Sequence, residues 1–197
     1  MISTHSHKVL RCKKTNDNES DLKQLMYKSL MDQYTIFQSN VRVIDEDTDD
    51  MMVAILIKDF FTDEEYTVLQ DYTLNVHNQT DVYKMELPVD PSIEHISHKV
   101  NMLNKTENKD LVDHFSIFHV FDNYLVDIHR DSDERSIKNL FVVKCAEVKG
   151  LTVFPEFKIA FMLEPKDILL FDTNLLHYVS TNMMVSKKKY RYAMYFE

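Results

Sequence analysis

The sequence contains a single glycine, Gly150, among 197 residues, where an average chain has roughly 7% glycine. Glycine takes positive backbone φ angles most readily, so the turns must be formed by Asn, Asp, Pro and Lys instead. Cysteine is also scarce, because Cys12 and Cys145 are the only two. Two cysteines cannot build a disulfide framework. We therefore expect an intracellular protein, nuclear or cytoplasmic, that is not secreted.

Long apolar runs are missing as well. The longest, residues 51–57, is far too short to cross a bilayer. The N-terminal residues 1–7 contain no apolar segment of the kind found in secretory signals. The sequence thus predicts a protein without a membrane partner.

Positive charge is in deficit, with a formal net charge of −9 at pH 7. Residues 1–123 hold 12 Lys and Arg against 22 Asp and Glu, whereas residues 124–197 hold 11 against 10. An acidic protein has no general attraction to nucleic acid, so a polynucleotide would need a local basic patch. The candidate patch is Lys187, Lys188 and Lys189, whose alternative interpretation is a solvated loop.

The length fits one domain, or one domain with an N-terminal extension. We predict an extension over residues 1–50 and a folded domain over residues 51–197. Within the extension, residues 1–19 are expected to have little fixed structure, and the acidic residues 45–50 to form a solvated linker. Apolar residues at helical spacing predict an amphipathic helix over residues 21–37. They are Leu22, Leu25, Met26, Leu30, Tyr34 and Phe37.

Two further helices are predicted from their first residues. Thr62-Asp-Glu-Glu65 has the form of a capping box and predicts a helix over residues 63–74. Asp90-Pro91 begins a second helix, with an apolar stripe over residues 93–103. His95 and His98 lie on this helix and are expected to be surface histidines.

Alternating and apolar segments predict a mostly β protein with flanking helices, of the α+β class. The predicted strands cover residues 52–57, 114–121, 124–130, 137–146, 151–157, 158–163, 168–172 and 190–196. Their number suits two facing sheets of the jelly-roll kind. His119 lies on one of these strands, either as a core residue or as a pocket residue.

One spaced set of side chains indicates a metal site. His129 and Asp131 are two residues apart at a strand end, and His177 follows 48 residues after His129. Two imidazoles and one carboxylate form the ligand set of non-haem Fe(II) oxygenases, which leaves coordination positions open. Asp133 is an alternative carboxylate, and a strand-end surface pair is the alternative interpretation of His129 and Asp131.

Arg191 completes the set, 14 residues after His177 on an alternating apolar strand. A guanidinium group cannot lose its charge, so an arginine among apolar residues requires an anion. A carboxylate bound through both of its oxygens fits the guanidinium best.

The order of these motifs resembles the Fe(II)- and 2-oxoglutarate-dependent dioxygenases. The residues that carry the resemblance are His129-x-Asp131, the block Gly150-Leu-x-Val-Phe-Pro-Glu156, the block Pro165-Lys-Asp-Ile-Leu-Leu-Phe171, His177 and Arg191. The block Val-Phe-Pro-Glu-Phe-Lys-Ile-Ala, over residues 153–160, is most similar to the TET and JBP branch. Where relatives often read Pro-Gly-Asp, this chain has lysine at position 166.

This resemblance implies a double-stranded β-helix (jelly-roll or cupin-like) core and an oxidoreductase. Fe(II) would be held by His129, Asp131 and His177, with 2-oxoglutarate and O2 as co-substrates. The far carboxylate of 2-oxoglutarate would meet Arg191. Further candidates for its pocket are Tyr124, Lys138 and Asn139.

The branch implies a nucleic-acid-modifying dioxygenase that hydroxylates the methyl group of 5-methylcytosine or thymine. Two alternatives remain open. The first is a hydroxylase of a protein side chain, a free nucleoside or another small molecule, for which an acidic surface is no obstacle. The second is a catalytically inactive β-helix module that acts in binding or as a structural subunit.

Overall fold

The computed structural model describes residues 8–18, 20–22, 34–48, 51–79, 86–87, 91–107, 115–121, 128–130, 139–145, 151–172, 174–180 and 190–196. The strands are β1 (Lys8–Cys12), β2 (Thr35–Phe37), β3 (Val41–Asp45), β4 (Met52–Ile57), β5 (Glu86–Leu87), β6 (Phe115–Phe121), β7 (Asn139–Cys145), β8 (Leu151–Phe154), β9 (Ile159–Met162), β10 (Ile168–Phe171), β11 (Tyr178–Ser180) and β12 (Tyr190–Phe196). The longer helices are α1 (Asp63–Gln79) and α2 (Glu94–Glu107), and 3₁₀ turns cover Pro91–Ile93 and Pro155–Phe157.

The strands form two sheets. The larger has the order β1-β3-β4-β10-β7-β12-β6-β5, and the smaller has the order β11-β8-β9-β2. Most neighbouring strands are antiparallel, but β1 pairs with β3 and β2 pairs with β9 in parallel. Strands on both sides of residue 50 therefore share both sheets.

Strand β4, in the larger sheet, is a continuous run of apolar residues because both of its faces are covered. Ala54 and Leu56 belong to a cluster with side chains of the smaller sheet, such as Phe154 and Phe161. Ile55, between them, packs in a second cluster with residues of the helices. A strand covered on both faces has no polar side to present, so alternation disappears from its sequence.

The two helices predicted from Thr62 and from Asp90-Pro91 are both present, as α1 and α2. In the capping box, Glu65 donates its N–H to Thr62 Oγ1 at 3.1 Å, and Thr62 donates its N–H to Glu65 Oε2 at 2.8 Å. The predicted stripe before and within α2 is buried. Its members are Ile93, Ile96, Val100 and Leu103. His95 and His98 are exposed, as expected. In the part of the chain that is described, no helix is long and apolar enough to span a membrane.

Turns that would ordinarily use glycine use Asp and Lys instead. Asp59, Lys158 and Lys166 have φ angles of 50°, 52° and 72°. Lys166 lies in the turn where relatives often have glycine. Asp167 fixes this turn, because its buried carboxylate accepts N–H groups from Glu164 at 2.6 Å and Asp59 at 3.1 Å. The Lys58 ammonium donates to the same carboxylate.

Several local predictions for residues 1–50 were wrong. Residues 8–12, expected to lack fixed structure, form β1. The predicted helix over residues 21–37 is helical at residues 20–22, but its end, Thr35–Phe37, is strand β2. Phe37 packs there against Phe161, with ring centroids 5.4 Å apart. Pairing with β9 thus overrides the helical spacing, since tertiary contacts outweigh weak local propensities.

The described part of the acidic segment is not a linker, because Asp45 is the last residue of β3 and residues 46–48 form a turn after it. Asp45 is buried, and its carboxylate accepts the Asp47 N–H at 3.0 Å and the Thr48 hydroxyl at 2.9 Å. The strand predicted over residues 151–157 ends at Phe154. Pro155, which lacks an N–H to donate to a strand partner, begins the 3₁₀ turn that follows.

Candidate metal centre

His129 and His177 are direct neighbours in the fold. They form an isolated antiparallel bridge in which the His129 N–H donates to the His177 carbonyl oxygen at 3.0 Å. The His177 N–H donates back to the His129 carbonyl oxygen at 2.9 Å. Their ring centroids are 4.4 Å apart. The tertiary structure thus places two imidazoles from distant parts of the sequence side by side.

A tight turn after β10 delivers His177 to this position. The Asp172 carboxylate accepts the Asn174 N–H at 2.8 Å, and the Leu175 N–H donates to the Asp172 carbonyl oxygen at 3.2 Å. His177 is only 3% exposed. The rings of Phe171 and Phe154 have centroids 4.8 Å and 6.1 Å from the imidazole of His177. Apolar rings therefore form one wall of the site.

The hydrogen bond of the His177 ring fixes its tautomer. Nδ1 lies 2.9 Å from the Leu175 carbonyl oxygen. A carbonyl oxygen only accepts hydrogen bonds, so Nδ1 carries the proton. In the neutral ring, Nε2 then carries the lone pair that a metal would use. This arrangement, in which one ring nitrogen donates to a carbonyl and the other coordinates, is usual for metal-binding histidines.

A buried carboxylate, Glu156, lies between the segments that carry the two histidines. Its Oε1 accepts from Arg130 Nη2 at 2.9 Å and from Lys14 Nζ at 2.7 Å. Its Oε2 accepts the Leu176 N–H at 3.0 Å. Burial alone would raise the pKa of Glu156, but the hydrogen bonds from Arg130 and Lys14 outweigh it and lower the pKa below 4.5. The carboxylate is therefore ionised at neutral pH.

The sequence did not single out Glu156 as a site residue. A signal was present, because a glutamate occurs within the apolar block Val-Phe-Pro-Glu-Phe of residues 153–157. A carboxylate on an otherwise buried segment requires hydrogen-bond partners. Those partners, however, come from remote parts of the chain.

The other predicted site residues are covered only in part. Asp131, Asp133, Tyr124, Lys138 and the patch Lys187–Lys189 lie outside the described residues. Asn139 begins β7, and Arg191 lies on β12 with Val120 and Lys144 as its partners across the sheet. The side chains of Asn139, Arg191 and His119 lie outside the description. Arg191 is thus placed on an inner strand of the larger sheet.

The residues present fit a divalent metal. Two adjacent imidazoles, one of them oriented through its Nδ1 hydrogen bond, are suitable ligands for Fe, Zn, Ni or Cu. Among the described residues, no group of three or more His, Cys, Asp or Glu side chains converges on one point. Asp131, two residues after His129, is the predicted third ligand and lies just beyond the described residues 128–130.

Comparison with known proteins gives similarity in structure alone. No protein-family model matches the chain. No curated protein sequence matches it either. Solved structures do match. NgTET1 in complex with 5mC DNA has a TM-score of 0.58 at 11% identity, covering 91% of this chain and 90% of that one.

Prolyl hydroxylases match at similar levels. The Pseudomonas putida prolyl-4-hydroxylase has a TM-score of 0.57 at 12% identity, covering 73% of this chain and 91% of that one. The viral collagen prolyl hydroxylase of Paramecium bursaria Chlorella virus-1, as its 2OG complex, has a TM-score of 0.55 at 14% identity, with coverages of 73% and 93%. The chain therefore shares its fold with these prolyl hydroxylases and with NgTET1, consistent with the predicted double-stranded β-helix.

Proposed function

We propose that the chain is an Fe(II)- and 2-oxoglutarate-dependent dioxygenase that hydroxylates a C–H bond. The single observation that carries this proposal is the bridge between His129 and His177, formed within a fold shared with such hydroxylases. The reaction converts 2-oxoglutarate, O2 and a substrate C–H group into succinate, CO2 and an alcohol.

Three side chains would hold the metal: His129, His177 and Asp131. Bound there, Fe(II) would supply the activation of O2, which no protein side chain provides. The protein contributes the arrangement of the ligands and an apolar wall that excludes water. Phe154 and Phe171 exclude water from one side of the His177 ring. Arg191 would bind the far carboxylate of 2-oxoglutarate through a bidentate pair.

The favoured substrate is the methyl group of 5-methylcytosine or thymine in nucleic acid. Two observations support this choice. The block over residues 153–160 is most similar to the TET and JBP branch, and NgTET1 covers 91% of the chain against 73% for the prolyl hydroxylases. A base within a duplex would have to be flipped out of the stack to reach the metal. Lys187, Lys188 and Lys189 are the candidate contacts for the phosphate backbone.

The second candidate is hydroxylation of a protein side chain. It is favoured by the net charge of −9, which does not attract nucleic acid, and by the structural match to two prolyl hydroxylases. A free nucleoside or another small molecule would equally tolerate the acidic surface.

One experiment tests both substrate classes. The protein is incubated with Fe(II), 2-oxoglutarate and, in separate reactions, 5-methylcytosine DNA, methylated RNA or proline-containing peptides. Mass spectrometry then detects succinate and a gain of one oxygen atom on the substrate. A hydroxylated base supports the favoured substrate, and a hydroxylated peptide supports the second candidate.

The matched control in each reaction is His177→Ala, which must abolish the product. If the wild-type protein binds neither Mn(II) nor Co(II) and forms no succinate with any substrate, the dioxygenase proposal is wrong. The chain would then be the inactive β-helix module.

A further inference from the structure

The Glu156 carboxylate connects the two segments that carry the histidines. Arg130, the residue after His129, donates to Oε1 at 2.9 Å. Leu176, the residue before His177, donates its backbone N–H to Oε2 at 3.0 Å. The two carboxylate oxygens of Glu156 thus bind the residues adjacent to His129 and His177.

A second contact strengthens this connection. Arg130 also donates through Nη1 to the carbonyl oxygen of Asn174, in the turn that leads to His177. The guanidinium group therefore binds both Glu156 and the turn itself. Because its planar fork has fixed donor directions, it restricts the backbone around His129 more tightly than a single flexible contact would.

The position of Glu156 is itself rigid. It lies in the 3₁₀ turn Pro155–Phe157, between the paired strands β8 and β9. Its backbone carbonyl oxygen accepts the Thr15 N–H at 2.6 Å, and Phe154 and Phe157 on either side are buried. A carboxylate on such a turn is well placed to orient the segments that it contacts.

We propose that Glu156 is a positioning residue that sets the spacing of the His129 and His177 imidazoles by holding Arg130 and the Leu176 backbone on one carboxylate. The spacing of the imidazoles is a property of the protein without metal. Its consequence for metal affinity rests on the proposed function.

The alternative is that Glu156 merely contributes to stability. A buried ion pair is a weak source of stability, because removing two charges from water offsets much of their attraction. Its directional hydrogen bonds instead specify one arrangement of the connected segments. The two roles differ in what a substitution changes: a stabilising residue affects all amides alike, whereas a positioning residue affects those around the histidines.

Hydrogen exchange of backbone amides separates these roles. The amides of His129 and His177 donate to each other's carbonyl oxygens and report directly on the bridge. In Glu156→Gln we expect their protection to fall by about tenfold or more, because the bridge opens locally. Protection of amides in β4 and β10 should stay within about twofold of wild type.

The matched control is Glu65→Gln. Glu65 also accepts a backbone N–H, at 2.8 Å from Thr62, and pairs with a lysine, Lys99, at 2.6 Å, but it lies at the start of α1. This variant should change protection at His129 and His177 no more than it changes protection in β4 and β10. Arg130→Met is a second test variant. It removes the hydrogen bonds of the Arg130 guanidinium to Glu156 and Asn174. Because the Arg130 side chain is partly exposed, this variant can be tested even if Glu156→Gln does not fold.

Metal affinity provides the second readout. Residues that orient metal ligands typically change affinity by about 10–100-fold, so Glu156→Gln should weaken Mn(II) or Co(II) binding by that factor while Glu65→Gln does not. The positioning role is overturned if protection at His129 and His177 is unchanged in Glu156→Gln and Arg130→Met. It is also overturned if protection falls equally throughout the sheets.

The proposed function fails separately, if wild-type protein binds no metal. Exchange at the two histidine amides still decides the role of Glu156 in that case, because it is measured without metal.

Discussion

His129 and His177 exchange both of their backbone hydrogen bonds, at 3.0 Å and 2.9 Å, although 48 residues separate them in the sequence. A bridge of two residues is too short to count as a strand pair, yet it holds the two imidazole rings with their centroids 4.4 Å apart. These main-chain hydrogen bonds place the two rings side by side and involve neither imidazole.

The first prediction concerns His177. His177→Ala should weaken Mn(II) or Co(II) binding by more than about a hundredfold, because loss of a ligand should cost more than loss of a residue that orients one. Isothermal titration measures the affinity, and circular dichroism checks the fold. His95→Ala is the control, since His95 is an exposed histidine on α2. Equal affinities for wild type and His177→Ala would remove His177 from the site.

The second prediction concerns Arg191. Arg191→Leu should raise the KM for 2-oxoglutarate by about 10–100-fold, because a charge-assisted bidentate pair contributes about 1.5–3 kcal/mol. The metal affinity should not change. Arg11→Leu, on the edge strand β1 of the same sheet, is the matched control. A KM equal to that of wild type would make Arg191 a structural residue.

The third prediction is a pH dependence of stability. Burial would raise the pKa of Glu65, but the hydrogen bonds from Lys99 and the Thr62 N–H outweigh it and lower the pKa below 4.5. A carboxylate with a lowered pKa in the folded state stabilises the protein above its unfolded pKa, and this contribution is lost as the pH falls through the folded value.

Glu65→Gln should therefore be less stable than wild type at pH 7. The difference in free energy of unfolding should shrink as the pH falls below 4.5. Urea unfolding at a series of pH values measures it. A difference that stays constant with pH would show that the ion pair with Lys99 does not lower the pKa of Glu65.

The fourth prediction tests the turn at Lys166, where φ is 72°. Lys166→Gly and Lys166→Ala both remove the ion pair with Asp63, which is 3.0 Å long and exposed. Glycine and alanine differ in how well they tolerate the positive φ at position 166. Glycine should therefore give a protein more stable than alanine by about 1 kcal/mol, measured by urea unfolding. The reverse order would contradict the positive φ.

Local signals in the sequence predicted much of the secondary structure. The capping box at Thr62 and the proline at position 91 located the first turns of the helices. The strand predictions over residues 52–57 and 190–196 match β4 and β12 in both bounds. These signals depend on residues close together in the chain, so they can be recognised before any partner is known.

Predictions failed where a remote partner decides the structure. Thr35–Phe37 continues a helical spacing but forms β2, because β9 offers a strand partner and Phe161 a ring to pack on. Residues 8–12 lie in a segment without periodicity, yet they form β1 beside β3. Neither edge strand can be predicted from its own residues, since each is defined by the neighbour it pairs with.

The sequence by itself determined the kinds of groups available for chemistry: imidazoles at 129 and 177, carboxylates near the first of them, and an arginine on a late apolar strand. Only the tertiary structure decided that the two imidazoles are adjacent and that Glu156 holds the residues beside them. The physical reason is that pairing between distant segments follows from the simultaneous burial of both sheet faces, and no short stretch of sequence contains that information.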